Sequence, residues 1–284
     1  MPYTAGILTF VFGALSAAAQ SDPNQPDALS LLKNIEATYS SMNTYSAKVT
    51  SAVSISRLET QGKMDMETST TVTADSSGKF RLETTGLMGR LAVYDGSTMW
   101  LYMPSTNSYY KHSLNDSSPA AQTGAQFGAG IGMGIFGGAN PLSGYKNLIA
   151  ALKEAKVLGS EKLHVNDSEV DCWVVFLDYE PVGSQEISAL ETAGLPAFGD
   201  LTRSRTLWVD KGRYLVYRDD SPIRMTMQNT NSPSDIKQTS KVESVRVNEP
   251  VSPDVFTFTP PSGAKEMDPS KFKTKTPEAP QTKN

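Results

Sequence analysis

Residues 91–111 read LAVYDGSTMWLYMPSTNSYYK, and their pattern predicts a β-hairpin. Two runs rich in β-forming residues, 91–94 and 99–103, flank Asp95-Gly96, a dipeptide that is typical of tight hairpin turns. Apolar side chains occur at both odd-numbered and even-numbered positions of the two runs. The odd-numbered set is Leu91, Val93, Met99, Leu101 and Met103, and the even-numbered set is Tyr94, Trp100 and Tyr102. An odd number of turn residues keeps the two sets on separate faces, whereas an even number mixes them. In both cases each face of the hairpin needs an apolar partner.

The composition is that of an ordinary globular protein. Of the 284 residues, 38% are hydrophobic and 20% are charged, and the net charge is -4. This mild acidity argues against nucleic acid as a partner, because nucleic acid favours a basic surface. Cys172 is the only cysteine in the sequence, and it lies in the apolar run DCWVVFL. We therefore expect it to be a buried, unreactive residue.

Residues 1–19 predict a signal peptide. Their apolar run ends in Ala17-Ala18-Ala19, which has the form of a signal-peptidase site, and it is too short to cross a bilayer. No Lys or Arg precedes the run. The expectation is export to the periplasm or secretion, with cleavage near Ala19 and a polar linker over residues 20–27. The alternative is a frayed apolar terminus on a cytosolic protein.

The remaining chain predicts helices and many short strands. Apolar residues at helical spacing indicate an amphipathic helix over residues 28–42, with Asp27 as its N-cap. About ten strands follow, joined by turns or loops, and residues 146–157 return to helical spacing. Residues 117–145 are rich in glycine and predict a flexible insertion, because glycine loses the most entropy on ordering. Residues 265–284 predict a disordered tail.

The order of these elements predicts the fold class. No β-α-β alternation occurs, so neighbouring strands should pair antiparallel. We predict one mainly β domain over residues 28–264, built on a single large, curled antiparallel sheet that forms an unclosed β-barrel. The N-terminal helix and mid-chain helices, at 146–157 and over a short stretch at 186–193, should cover the concave face. A sheet of so many strands must curl or split.

Four segments carry a resemblance to a known family: Lys79-Phe80-Arg81, LAVYDGSTMWLYMP (91–104), TLWVDKGRYLVYR (206–218) and VSPDVFTFTPPSGA (251–264). With the N-terminal helix, they resemble the LolA/LolB/RseB-like superfamily of periplasmic lipoprotein-binding proteins, nearest to its outer-membrane lipoprotein-sorting-like members. The resemblance covers residues 28–264. It implies an unclosed β-barrel with an apolar concave face, capped by helices, that holds acyl chains. It also implies a sheet arginine that binds backbone carbonyls of a lid, with Arg57 and Arg81 as candidates.

An acyl-chain pocket needs apolar area and no catalytic group. The candidate lipid-binding residues are Val49, Val53, Phe80, Leu82, Leu91, Val93, Leu101, Met103, Trp173 and Val175. The alternative is that the same residues fill an ordinary core under the helices. In the glycine-rich insertion, the candidate flap residues are Ile131, Met133, Ile135 and Phe136. This flap is expected to touch lipid or a membrane at the mouth of the pocket, the alternative being a featureless loop.

The sequence shows no constellation typical of an enzyme. It lacks the G-x-S-x-G and H-E-x-x-H motifs, and its two histidines, His112 and His164, lie outside metal-ligand spacing. We therefore expect no catalytic residue, no metal and no cofactor. The predicted function is an exported, non-enzymatic binding protein that holds an acyl chain or a lipidated polypeptide in an apolar groove. The alternative is an RseB-like envelope sensor or scaffold that docks a protein partner.

Overall fold

The computed structural model describes residues 25–57, 62–86, 89–113, 145–181, 198–227 and 232–267. Within them the chain forms one α-helix, α1 (Ala28–Ser41), and twelve strands. The strands are β1 (Thr44–Arg57), β2 (Gly62–Asp75), β3 (Phe80–Thr85), β4 (Arg90–Tyr94), β5 (Thr98–Met103), β6 (Ser108–Ser113), β7 (Leu152–Val165), β8 (Ser168–Tyr179), β9 (Phe198–Asp210), β10 (Val216–Met227), β11 (Ser232–Val247) and β12 (Lys265–Glu266). The predicted signal peptide, the short helix at 186–193 and almost all of the glycine-rich insertion lie outside the described residues.

The N-terminal helix is confirmed. Asp27 caps it, because its Oδ2 accepts the backbone N–H of Ser30 at 2.9 Å and so satisfies one of the free donors of the first turn. The helix buries one stripe, which consists of Leu31, Leu32, Ile35 and Tyr39. This stripe packs on one face of the sheet, where the ring of Tyr39 lies 6.3 Å from that of Tyr45 on β1. We call this the helix-side face and the other the outer face.

All twelve strands form one sheet in the order β12-β6-β5-β4-β3-β2-β1-β11-β10-β9-β8-β7. Every neighbouring pair is antiparallel except β12 and β6, which are parallel. β1 pairs with β11 near the middle of the sheet, so β2–β6 and β12 lie on one side of this pair and β7–β10 on the other. The predicted fold class, a single large unclosed sheet with few helices, is confirmed.

The sheet is curled, and the β7–β8 turn shows it. Asn166 at this turn donates from Nδ2 to the Val245 carbonyl on β11 and accepts the Val245 N–H at Oδ1. β7 and β11 are four positions apart in the sheet, which would separate them by about 19 Å if the sheet were flat. The curl therefore brings the edge strand back against the centre of the sheet and closes one end of its β7–β11 half.

The mid-chain helix predicted over residues 146–157 is wrong. Residues 147–151 form turns, Ala151 has a left-handed backbone (φ 55°), and β7 begins at Leu152. Antiparallel pairing with β8 gives most residues of β7 a backbone partner, which outweighs the helical spacing of the apolar side chains. Ala155 and Val157 share the alternating spacing of a strand and pack against the core.

The β4–β5 hairpin has an even number of turn residues, which is the second of the two predicted alternatives. Tyr94 pairs with Met99 across four turn residues, so the aliphatic and aromatic sets are mixed. Leu101 lies on the helix-side face with Tyr94, whereas Val93 pairs with Trp100 on the outer face. Each face is covered, as the hairpin pattern requires. The C-terminal segment 251–267 covers the outer face, where the Phe258 ring lies 5.6 Å from that of Trp100.

Candidate functional site

The helix-side face carries a row of apolar residues beyond the reach of α1. Met64, Ile55, Ile236 and Ile223 lie directly opposite one another on the adjacent strands β2, β1, β11 and β10. Met64 is 50% exposed, and the three isoleucines are partly exposed. Alternation along β1 places Ile55 on the same face as Tyr45 and Val49, which lie in the core. We call these four residues the apolar row.

A second row lies one step closer to the helix and is half apolar. Here Met66 pairs with Val53, Val53 with Gln238, and Gln238 with Ser221. All four side chains are partly buried. Together the two rows form an apolar surface that is widest over β1 and β2 and becomes more polar toward β10.

A buried polar layer separates these rows from the packed core. It consists of Ser51, Ser240, Asp219, Arg205 and Tyr145. Ser51 and Ser240 are cross-strand neighbours whose hydroxyl oxygens lie 3.3 Å apart, and Ser240 is opposite Asp219. Asp219, only 4% exposed, forms an ion pair with Arg205 and accepts the hydroxyl of Tyr145 at 3.3 Å. Buried charges are stable only when they are paired and hydrogen-bonded, and this layer meets both conditions.

The electrostatics of the polar layer favour the ionised pair. Burial opposes the charge of Arg205, but the adjacent Asp219 carboxylate outweighs it and holds the pKa of Arg205 above its usual value. Burial and the same carboxylate raise the pKa of Tyr145 well above its usual value, so its hydroxyl stays protonated. The guanidinium of Arg205 also lies over the Tyr145 ring, 5.2 Å from its centroid. The layer therefore ties Tyr145, the last residue of the predicted glycine-rich insertion, to the sheet.

Arg203 lies at the β9 end of the apolar row. It pairs with Ile223 in the strand register and is exposed. Its guanidinium lies over the Tyr179 ring on the helix-side face, 5.2 Å from the centroid. The apolar row thus ends at a cation.

The interior beneath α1 is filled by the chain's own side chains. A cavity there, between Tyr45, Val49, Tyr145 and residues of β10 and β11, has a volume of only about 10 Å³. Two open grooves of about 380 and 470 Å³ adjoin the two rows, since Ile223 and Ile236 line the first and Val53 and Met66 the second, but both linings also contain charged residues. Asp178, Arg224, Asp235 and Lys237 line the first, and Asp65, Glu67 and Lys237 the second. Neither groove is an apolar pocket.

The predicted lipid-binding residues separate into three groups. Val49, Phe80, Leu82, Trp173 and Val175 are buried in the core. Leu91 and Val93 lie on the outer face with Trp100, so no single groove contains all ten residues. Val53, Leu101 and Met103 lie on the helix-side face and are partly exposed, and Val53 adjoins the apolar row. The flap candidates Ile131, Met133, Ile135 and Phe136 lie outside the described residues.

The sequence-based prediction included none of the four residues of the apolar row and none of the polar layer. Both depend on pairing between β1 and β11, whose partners are about 180 residues apart, and one sequence does not reveal such a register. The alternation of Met64 and Met66 on β2 was a usable signal. Of the two arginine candidates, Arg81 donates to the carbonyls of Val255 and Thr257 at 3.4 and 3.5 Å, on the outer face. The side chain of Arg57 is outside the described part.

Two further observations limit the chemistry of the described residues. They contain no group of three or more acidic, histidine or cysteine side chains arranged to hold a metal ion. No helix among them is long and apolar enough to cross a membrane.

A family model described as "Predicted periplasmic protein (DUF2092)" matches residues 28–268. None of the curated proteins matches this sequence. Solved structures do match. An uncharacterised conserved protein from Thermus thermophilus has 12% identity and a TM-score of 0.40, over 85% of this chain and 99% of that one.

A LolA superfamily protein from Nitrosomonas europaea has 13% identity and a TM-score of 0.30, over 82% of this chain and 99% of that one. The MucA/MucB complex of Pseudomonas aeruginosa matches with 10% identity and a TM-score of 0.39, over 82% of this chain and 62% of that one. One of these matching structures is thus of a protein from the superfamily that the sequence resembles.

Proposed function

We propose that this chain, which belongs to the DUF2092 family of predicted periplasmic proteins, is a non-enzymatic binding protein that holds an acyl chain. The acyl chain would belong to a free lipid or to a lipidated polypeptide. It would lie on the helix-side face beyond α1. The single observation that supports this proposal is the apolar row, which crosses four strands in register and is partly exposed. Exposed apolar rows of this kind are a mark of binding surfaces.

The dimensions of the row suit one acyl chain. Three interstrand distances of about 4.8 Å separate Met64 from Ile223, which gives a length of about 14 Å. Half of the hydrocarbon core of a bilayer is about 15 Å thick, which is the depth that one acyl chain occupies. Each methylene that leaves water contributes about 0.8 kcal/mol before the costs of ordering. Burial of the acyl chain's apolar surface is therefore enough to give affinity for it, and no reactive group is needed.

The buried layer beneath the rows supports the same proposal. Asp219, Arg205 and Tyr145 form a satisfied polar floor that keeps an apolar ligand from entering the packed core. The ligand would thus stay at the surface of the sheet. This differs from the sequence-based prediction of a pocket lined by Val49, Phe80 and Leu82, which are core residues.

The experiment is displacement of a fluorescent fatty acid from purified protein, with native mass spectrometry of protein isolated without detergent. Ile236→Glu places a charge in the row and should weaken binding about tenfold or more. Lys237→Glu is the matched control, because Lys237 is the exposed neighbour on the other face, and it should bind like the wild type.

Two results would contradict the proposal. One is wild-type protein that neither retains lipid nor binds the fluorescent fatty acid. The other is equal loss of binding in both variants. Stable capture of a protein partner by lipid-free protein, unaffected by Ile236→Glu, would instead support the sensor or scaffold alternative.

A further inference from the structure

We infer that the ligand is a free fatty acid whose carboxylate binds Arg203, with its acyl chain along the apolar row toward Met64. This inference rests on the proposed function and adds the chemistry of the head group. The row ends at Arg203, which lies opposite Ile223 on the next strand. An apolar surface that ends in a cation is complementary to an amphiphile with an anionic head.

The charge of Arg203 is available to a ligand. Three other arginines of β9 and β10, Arg205, Arg218 and Arg224, form ion pairs with Asp219, Asp220 and Asp235. In the described part of the chain, Arg203 has no carboxylate within ion-pair distance, and its contact is with the ring of Tyr179. The ring holds one face of the guanidinium and leaves its N–H donors at the edge free to bind.

The distances favour one chain with a small head. Arg203 lies one strand beyond Ile223, so the path along the sheet from Met64 to Arg203 is about 19 Å, whereas the acyl part needs about 15 Å. The remaining interval of about 4 Å is within the reach of an arginine side chain to a carboxylate. A guanidinium binds a carboxylate through two parallel hydrogen bonds, which fixes the end of the chain at one position.

The test compares palmitate with hexadecanol, which has the same chain length and no charge. Both are measured by displacement of the fluorescent fatty acid from the full chain. Arg203→Gln should weaken palmitate binding about tenfold or more and leave hexadecanol binding unchanged. Arg203→Lys should recover part of the loss, because lysine keeps the charge but not the paired donors. Arg224→Gln, at an arginine already paired with Asp235, is the control and should change the affinity for neither ligand.

The possible outcomes separate this inference from the proposed function. If the wild type binds neither palmitate nor hexadecanol, both fail. If it binds both and Arg203→Gln weakens them equally or not at all, the head-group assignment fails while the acyl site stands. A lysophospholipid, which has a phosphate head, is the third ligand. If it binds more tightly than palmitate and its affinity falls as much in Arg203→Gln, the ligand is a phospholipid and the fatty-acid assignment is overturned.

Discussion

Asn166, in the turn between β7 and β8, binds both backbone polar groups of Val245 on β11. Its Nδ2 donates to the Val245 carbonyl at 3.0 Å, and its Oδ1 accepts the Val245 N–H at 2.9 Å. The backbone N–H of Asn166 also donates to the Glu243 carbonyl at 3.1 Å. These bonds occur where the sheet folds back on itself, so one side chain ties the edge strand to the centre of the curled sheet.

Asn166→Ala should lower the free energy of unfolding by about 1–3 kcal/mol, because it leaves the two polar groups of Val245 without partners. Urea denaturation followed by circular dichroism measures the change. Asp167→Ala is the matched control, because Asp167 has the same left-handed backbone (φ 59° against 52°) and is exposed. Equal losses in the two variants would assign the effect to backbone strain and contradict the role of the Val245 bonds.

The ion pair between Arg205 and Asp219 should matter far more for stability than a surface pair. Asp219→Asn removes the buried carboxylate that pairs with Arg205, and we expect a loss of about 3–5 kcal/mol in the free energy of unfolding. Asp235→Asn, which breaks the exposed pair with Arg224, should cost no more than about 1 kcal/mol. The measurement is urea denaturation at neutral pH.

A double variant completes this test. Arg205→Met with Asp219→Asn removes both charges, and it should be more stable than Asp219→Asn alone. If the double variant loses the sum of the two single losses, the residues act independently and the polar layer is not one unit.

How much of this fold a single sequence predicts depends on the range of the contacts involved. The helix at Asp27 and the hairpin at Asp95-Gly96 are local, and capping and turn chemistry were enough to predict both. Residues 146–157 show the limit, since Leu148, Leu152 and Ala155 fit a helix as well as a strand until β8 supplies its backbone partners.

The candidate site was less predictable than the fold, for the same reason. The apolar row exists only because Ile55 on β1 meets Ile236 on β11, a pairing that no local pattern encodes. The even-numbered turn moved Leu91 and Val93 to the outer face, and the sequence left that choice open. Apolar spacing alone cannot separate a core residue such as Phe80, 1% exposed, from a ligand-contacting one.

Tyr145 should make stability fall at high pH. Burial raises its pKa above the ordinary value of 10, so above pH 10 the unfolded chain loses this proton while the folded chain keeps it. The stabilisation is therefore complete below pH 10 and is lost as the pH rises, by about 1.4 kcal/mol per pH unit. In urea denaturation from pH 9 to pH 11, the free energy of unfolding should decline less steeply for Tyr145→Phe than for the wild type. Parallel curves across that range would contradict the prediction.

Cys172 should be inert in the folded protein. It is fully buried, and burial together with Asp210 raises the pKa of its thiol to about 12. At pH 8 the reactive thiolate is then about a thousandfold scarcer than in an unfolded chain. A chromogenic disulfide reagent should react slowly with native protein and rapidly in urea. Comparable rates in the two conditions would place the thiol at the surface.

The C-terminal segment should protect the outer face of the hairpin without touching the ligand. Phe258 lies 5.6 Å from Trp100 and 5.8 Å from Tyr102, ring centre to ring centre. Phe258→Ala should lower the free energy of unfolding by about 1–3 kcal/mol and make Trp100 fluorescence more accessible to acrylamide. Thr257→Ala, at the exposed neighbouring residue, is the control for both measurements.

The same variant tests which face binds the acyl chain. Phe258 and the apolar row lie on opposite faces of the sheet, so Phe258→Ala should leave the affinity for the fluorescent fatty acid within about twofold of the wild type. Leu91 and Val93 lie on the face that Phe258 covers. A large change in affinity, with the fold intact by circular dichroism, would therefore move the acyl site to the outer face and contradict the assignment to Ile55, Ile236 and Ile223.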